Sequence, residues 1–330
     1  MNTTWREHVA PDTRTLRGKR VIVRVDWNLP VSDGKISDFS RFNVTVPFLT
    51  KLSQAGAKII VMSHFGEKGE SLKLVADHAV QQLPFLTFNP SLDCQELAER
   101  SRELEEEKGI LLENVRLFPG ETENLSSLVA GFASLGDIFI NDAFSVSHRE
   151  HASVVGLGST MLSYFGPTMT RELEHLSKAL TPNPPALFIV GGAKISTKLN
   201  LIRQYLDKGV KVFVGGAMVH NIWKELGLEI GQSFYDPAYH LPETFVKHPL
   251  LLTPQDVILA TGETVPITKI PKDGVVVDCG KATVGMLAQI MNLSNTVIVN
   301  GPLGLYEKGW LYGSEQVLNA VASSKVTSYI

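Results

Sequence analysis

Three arginines, a histidine and an Asp/Asn pair fall at one kind of place in this sequence, at or just past the end of a short β-branched run. RVIVRVDWN (20–28) ends with Asp26 and Asn28, KIIVMSHFG (58–66) with His64, and GILLENVR (109–116) with Arg116. DIFINDAF (137–144) carries Asn141 and Asp142, SHREH with Arg149 follows it, and Arg41 opens the helical pattern after the first run. In open parallel sheets, ligands bind beyond the carboxyl ends of the strands. Guanidinium forks match carboxylate and phosphate geometry. Taken alone, each arginine reads as a surface or capping residue; together they point to a small, strongly anionic ligand.

Later strand ends carry backbone instead of charge: Gly191–Gly192, Gly215–Gly216, Cys279–Gly280 and Asn300–Gly301–Pro302. Glycines let main-chain N–H groups approach a ligand closely, and helix amino ends favour phosphate. In ALFIVGGAKISTK (186–198), a helix starting after the glycines would put Lys194 and Lys198 on one face of its first turn. Like charges at i,i+4 repel, and the helix amino end is already positive. A polyphosphate would relieve both conflicts; the plainer alternative is two solvated lysines. The P-loop pattern is missing, and no G-x-G-x-x-G follows a strand, which disfavours a nicotinamide dehydrogenase.

The elements behind these residues repeat as strand, turn and amphipathic helix. ALFIVGG (186–192), KVFVGGAM (211–218), VVVDCG (275–280) and TVIVNGPLG (296–304) continue the series. Apolar runs alternating with helices predict parallel α/β sheets. SRFNVTVPFLTKLSQAG reads as one helix with Phe42, Val46, Leu49 and Leu52 on one face and a stop at Gly56. GPTMTRELEHLSKAL, followed by TPNPP, reads as a connecting helix, and 261–273 as a small β excursion. The predicted organisation is a domain over 1–165, a connecting helix over 166–180 and a second domain over 181–330.

The 330 residues are 44% hydrophobic and 20% charged with net charge −3, which gives no sign of a nucleic-acid surface. The charged run 96–109 reads as a solvated helix face. Cys94 and Cys279 lack metal or redox spacing and read as free thiols in a reducing compartment. No run nears ~18 apolar residues, and the amino end lacks an apolar signal core. A cytoplasmic location without membrane contact is expected, and no protein-borne metal site.

RVDWNLPV, the SRF arginine, MSHFG, LLENVRL, INDAF with SHREHAS, IVGGAKISTK, VGGAM, VDCG and NGPLGLYE, in that order, resemble the phosphoglycerate kinase family from about residue 17 to 330. The resemblance implies two doubly wound, Rossmann-like parallel-sheet domains joined by a helix, with a cleft between them that closes and excludes water. It implies reversible phosphoryl transfer between ATP and the carboxylate of 3-phosphoglycerate, giving 1,3-bisphosphoglycerate and ADP, with the nucleotide as Mg-ATP or Mg-ADP. Asp26, Asn28, Arg41, His64, Arg116 and Arg149 would hold phosphoglycerate, with Arg41 also facing the reacting carboxylate. Lys194 and Lys198 would contact the nucleotide phosphates, Lys198 following the transferred group. Gly215, Gly216, Asn300, Pro302 and Glu307 would border the nucleotide, the glutamate at its ribose. A monomer is expected.

Three departures stand out. The family's arginine after the SHFG turn is Glu67 here, so phosphate affinity falls or Lys68 takes over. VDCG continues as KAT, to which little is attached. SSKVTSYI reads as a strand (Val326 to Ile330) without the family's following G-G-G-D-[ST] turn. A piece of a longer product is therefore expected, poorly active and marginally stable by itself; the alternative function is a member that binds 3-phosphoglycerate without efficient transfer.

Overall fold

Valine and isoleucine runs that are apolar on both faces become central strands covered by helices on each side. In a computed structural model that describes residues Thr3–Ile330 other than Lys68, the chain divides into two units, Met1–His175 and Leu176–Ile330. The boundary falls within the helix Pro167–Leu180. No helix of the described residues is long and apolar enough to cross a membrane.

The first unit is built on a six-stranded parallel sheet. Its strands are β1 (Arg20–Arg24), β2 (Lys58–Met62), β3 (Leu86–Asn89), β4 (Gly109–Leu112), β5 (Ile138–Asn141) and β6 (Ser163–Phe165), in the order β3-β4-β2-β1-β5-β6. Val21 and Val23 pack on one face with Phe42, Leu49 and Leu52. Ile22 packs on the other with Leu97 and Phe132. Each such fully buried side chain contributes roughly 1.5–3 kcal/mol. Strands β3 and β6 were not read from the sequence: LTFN and SYF are short edge strands with polar positions.

The single helix expected over 40–56 is two pieces, Ser40–Asn43 and Val46–Gln54. Pro47 has no N–H to donate, so the longer helix has to start in the turn just before it. Phe42, Leu49 and Leu52 are buried as expected, whereas Val46 is only half-buried. Gly56 follows in the left-handed region at φ +85°.

In the second unit β7 (Ala186–Val190), β8 (Lys211–Val214) and β9 (Leu251–Leu252) precede a separate antiparallel sheet. That sheet comprises β10 (Asp256–Leu259), β11 (Thr264–Pro266) and β12 (Val276–Cys279), in the order β11-β10-β12. β13 (Thr296–Asn300) and β14 (Thr327–Tyr329) complete a five-stranded parallel sheet ordered β9-β8-β7-β13-β14. The VVVDCG run therefore does not belong to the parallel sheet, contrary to the sequence expectation. The antiparallel excursion is wider than 261–273, because Val257 and Ile258 pair with Cys279 and Asp278. Both units are Rossmann-like.

Each parallel sheet has one topological switch point. In the first unit the chain runs outward from β1 to β2 and later returns to β1's other side as β5. In the second it leaves β7 toward β8 and returns as β13. Loops diverge at such points and leave a crevice beyond the carboxyl ends of the strands.

Candidate functional site

At the first switch point, Asp26 follows β1 and Ser145 follows β5, and the Ser145 hydroxyl donates to Asp26 Oδ2. Arg41 Nη1 donates to the same oxygen at 3.0 Å and to the Asn28 carbonyl at 3.3 Å. Asn28 Oδ1 accepts from Gly66 N at 2.9 Å, while Arg116 Nη1 donates to Gly66 O at 2.6 Å. The MSHFG turn is thus held by its amide and its carbonyl, both bonded to predicted site residues. Arg149 is exposed and makes no side-chain hydrogen bond or ion pair among the described residues, but its field reaches Arg116 and His64. Asp26, Asn28, Arg41, His64, Arg116 and Arg149 therefore form one continuous neighbourhood.

His64 is 4% exposed, and its Nδ1 lies 3.2 Å from Arg24 Nη2. Arginine can only donate, so Nδ1 accepts and the neutral ring carries its proton on Nε2. Burial first, then the positive charges of Arg24, Arg116 and Arg149, push the ring pKa down to about 3 against the opposing pull of Asp26. At 3.9 Å from Asp26 the neutral ring forms no ion pair. His64 is a fixed hydrogen-bond donor rather than a cation.

Arg24 is a supporting residue that the sequence reading missed. It is 1% exposed in the centre of the sheet, and burial lowers its pKa to about 10, leaving it charged. Its Nε donates to Ser153 Oγ at 3.2 Å, and Ser153 donates through N and Oγ to the buried Glu121 carboxylate at 2.9 and 2.6 Å. Burial raises the Glu121 pKa, while Ser153 and Arg24 oppose that rise. The signal was available: an arginine inside a Val/Ile run must find a buried partner. Asn114 is a second such residue, its amide holding both Phe65 N and Phe65 O.

Asn141 and Asp142, also at a strand end, are engaged structurally. Asn141 bonds Ser147 Oγ and Ala143 N. Asp142 Oδ1 accepts from Thr168 N at 2.6 Å and Met169 N at 3.1 Å, at the start of the helix Pro167–Leu180. Burial pushes the Asp142 pKa up to about 6. Glu67 is exposed, and its charge acts on Arg116. Lys68, the expected substitute cation, lies outside the described residues.

The second switch point is made of backbone. Gly191 N donates to Asn300 O at 3.0 Å, and a Cβ on Gly191 would sit 2.0 Å from Pro302 O. Gly216 adopts φ +63°, where a Cβ would sit 2.7 Å from both N and O of Gly192. These glycines serve the approach of loop to loop, beyond any they offer a ligand. Lys198 Nζ closes the junction, donating to Gly191 O at 2.9 Å and to Asn300 Oδ1 at 2.6 Å. Burial lowers its pKa.

The reason first given for pairing the lysines fails here. The helix begins at Leu199, Lys194 precedes the short turn Ile195–Thr197, and Lys198 caps the helix Leu199–Asp207. The two ammonium groups do not share a helical first turn, since the chain unwinds after the glycine pair. Lys194 is exposed and makes no side-chain hydrogen bond or ion pair among the described residues. Gly216, Pro302 and Glu307 line a cavity of about 310 Å³ next to this junction. Gly215 does not line it: its N–H bonds Val190 O, and a Cβ there would meet Leu303. Among the described residues, no group of three or more His, Cys, Asp or Glu side chains could hold a metal ion.

Two parallel α/β units, one with a guanidinium-rich switch point and one with a glycine–lysine switch point, define a class of phosphate-handling α/β protein. The family model for phosphoglycerate kinase matches residues 12–330. A phosphoglycerate kinase of Rhizobium meliloti (strain 1021) is 37% identical over 321 residues, spanning 90% of this chain and 79% of that protein. One from Rubrobacter xylanophilus is 36% identical, spanning 96% and 85%. The structure of phosphoglycerate kinase from Coxiella burnetii superposes with TM-score 0.82 at 31% identity, covering 95% of this chain and 85% of that one. The chain belongs to the phosphoglycerate kinase family, and with it to the phosphotransferases.

Proposed function

We propose that this chain reversibly transfers a phosphoryl group between ATP and the carboxylate of 3-phosphoglycerate, giving ADP and 1,3-bisphosphoglycerate. The observation that carries this reading is the donor set around Asp26: Arg41, neutral His64, Arg116 and Arg149 within one neighbourhood. Phosphoglycerate offers a phosphate and a carboxylate for these donors and one hydroxyl for the acceptor Asp26. Arg41, tethered to Asp26, is assigned to the reacting carboxylate.

Lys194, Lys198, Gly216, Asn300, Pro302 and Glu307 are assigned to the nucleotide, and Gly215 supports the turn behind them. A magnesium ion would accompany the phosphates, partly neutralising them. Transfer without a covalent intermediate relies on positioning and charge stabilisation, which ammonium, guanidinium and peptide N–H groups supply. Lys198, half-buried at the strand ends, is assigned to follow the transferred phosphoryl. We assign the reaction to a cytoplasmic monomer acting on small molecules, supported by the near-neutral charge and two unpaired cysteines.

The test is a coupled assay together with calorimetry. Wild type should bind 3-phosphoglycerate and ADP and turn over with ATP, and Lys198→Ala should lower kcat about 10²–10³-fold with little change in KM for 3-phosphoglycerate. Equal effects on both parameters would refute the role of Lys198. Phosphoglycerate binding without turnover would identify a binding protein instead.

A further inference from the structure

Asp26, Arg41 and Ser145 line one cavity of about 400 Å³ within the first unit, together with Thr45, Phe144 and Thr168. The Asp26 side chain is 13% exposed and that of Arg41 52%, and Ser145 is exposed, so a ligand in the cavity can reach all three. A carboxylate accepts about four hydrogen bonds, two on each oxygen. Both places on Asp26 Oδ2 are filled, by Arg41 Nη1 at 3.0 Å and by the Ser145 hydroxyl. Oδ1 accepts from Asn28 N at 3.3 Å, and His64 Nδ1, 3.9 Å away, carries no proton to donate. Oδ1 therefore keeps one open acceptor place, which suits a ligand hydroxyl.

The two donors on Oδ2 differ in their freedom. Arg41 is long and exposed, and in the proposed reaction it turns to the ligand's carboxylate. Ser145 is short and sits on the turn Phe144–Val146 that follows β5. Buried Ala143 and Val146 anchor that turn by packing with Val154. Asn141 Oδ1 accepts from Ala143 N at 3.0 Å, and Ser147 Oγ donates to Ala143 O at 2.8 Å. A small side chain on a fixed turn loses little entropy in holding a hydrogen bond. The Ser145 tie also crosses the switch-point crevice, from the loop after β5 to the loop after β1.

We propose that Ser145 is a positioning residue for the phosphoglycerate hydroxyl: it retains Asp26 Oδ2 when Arg41 turns to the ligand, and so keeps Oδ1 aimed at that hydroxyl. Without Ser145, the departure of Arg41 strips Oδ2 of both donors in a carboxylate that is mostly buried. Losing a donor to a charged acceptor costs more than losing a neutral hydrogen bond. The carboxylate then either turns away from the hydroxyl or holds Arg41 back from the ligand. A site built to bond a substrate hydroxyl rejects the analogue lacking it, so Ser145 contributes to the choice of a hydroxy acid over a plain acid. This inference rests on the phosphoglycerate reading of the first unit.

The experiment compares the full wild-type chain with Ser145→Ala, which removes the hydroxyl, and Ser145→Thr, which keeps one. Calorimetry would measure 3-phosphoglycerate and 3-phosphonooxypropanoate, which has the same phosphate and carboxylate but no hydroxyl, with circular dichroism confirming that each variant is folded. Wild type should prefer 3-phosphoglycerate by about tenfold or more. Ser145→Ala should weaken 3-phosphoglycerate about tenfold and leave the deoxy analogue within about twofold, which erases the preference. Ser145→Thr should retain it. Equal weakening of both ligands by Ser145→Ala would show a merely structural role and overturn the proposal, as would an undiminished preference in that variant or its loss in Ser145→Thr. Failure of wild type to bind either ligand overturns the phosphoglycerate reading as well.

Discussion

Glu67 places a carboxylate whose charge acts on Arg116, so the anionic ligand proposed for this site would have to compete with it. The Gly66 amide and carbonyl are gripped by Asn28 and Arg116, which fixes the start of the side chain that follows. Glu67→Gln should tighten 3-phosphoglycerate binding about three- to tenfold at low ionic strength, with the gain shrinking in 1 M salt. A salt-independent change, or none, in calorimetry would contradict the electrostatic account. His64 offers a second test. Its folded pKa is depressed to about 3, below an unfolded value near 6.5. The stability it contributes as a neutral ring is complete above pH 6.5 and is lost as pH falls toward 3, because the unfolded chain takes up the proton first. The gap in urea stability between wild type and His64→Gln should therefore narrow with acidification, by at most ~1.4 kcal/mol per pH unit. A gap that widens below pH 6.5 would show that the ring is protonated when folded.

At the scale of elements, the second site depends on loops packed backbone to backbone. Gly216→Ala imposes both a left-handed alanine and a 2.7 Å contact with Gly192. A cost of about 2–4 kcal/mol in urea unfolding is expected, with a loss of ADP affinity. A variant as stable as wild type would mean that the turn relaxes without cost. The helix Val46–Gln54 shows how a local rule alters an otherwise sound pattern. The apolar spacing of Phe42, Leu49 and Leu52 was legible, but Pro47 determined where the helix could begin. The excursion β10–β12 was only partly legible, because VVVDCG has the composition of a central parallel strand and nothing local marks its antiparallel partner.

At the scale of the molecule, each unit has its own buried core, one grouped around Trp27 and the other around Trp223. Ligands that bind only the native state stabilise it by mass action, about 2.7 kcal/mol at a hundredfold excess over Kd. Hydrogen exchange should therefore slow mainly in strands β1, β2, β4 and β5 with 3-phosphoglycerate, and mainly in β7, β8 and β13 with ADP. The opposite pattern would reverse the assignment of ligands to units.

Composition and order along the chain determined which residues stand at strand ends, because a strand's apolar run and the polar turn after it are consecutive in sequence. That was enough to read the parallel α/β class, the arginine cluster and the glycine-rich turns. Only the tertiary structure decided which of those residues meet. Arg24 became a partner for His64, and Lys198 a clasp on Gly191 and Asn300. The Arg24–His64 and Lys198–Asn300 pairings join residues 40 and 102 positions apart, and whether a buried polar atom is satisfied depends on what packs against it.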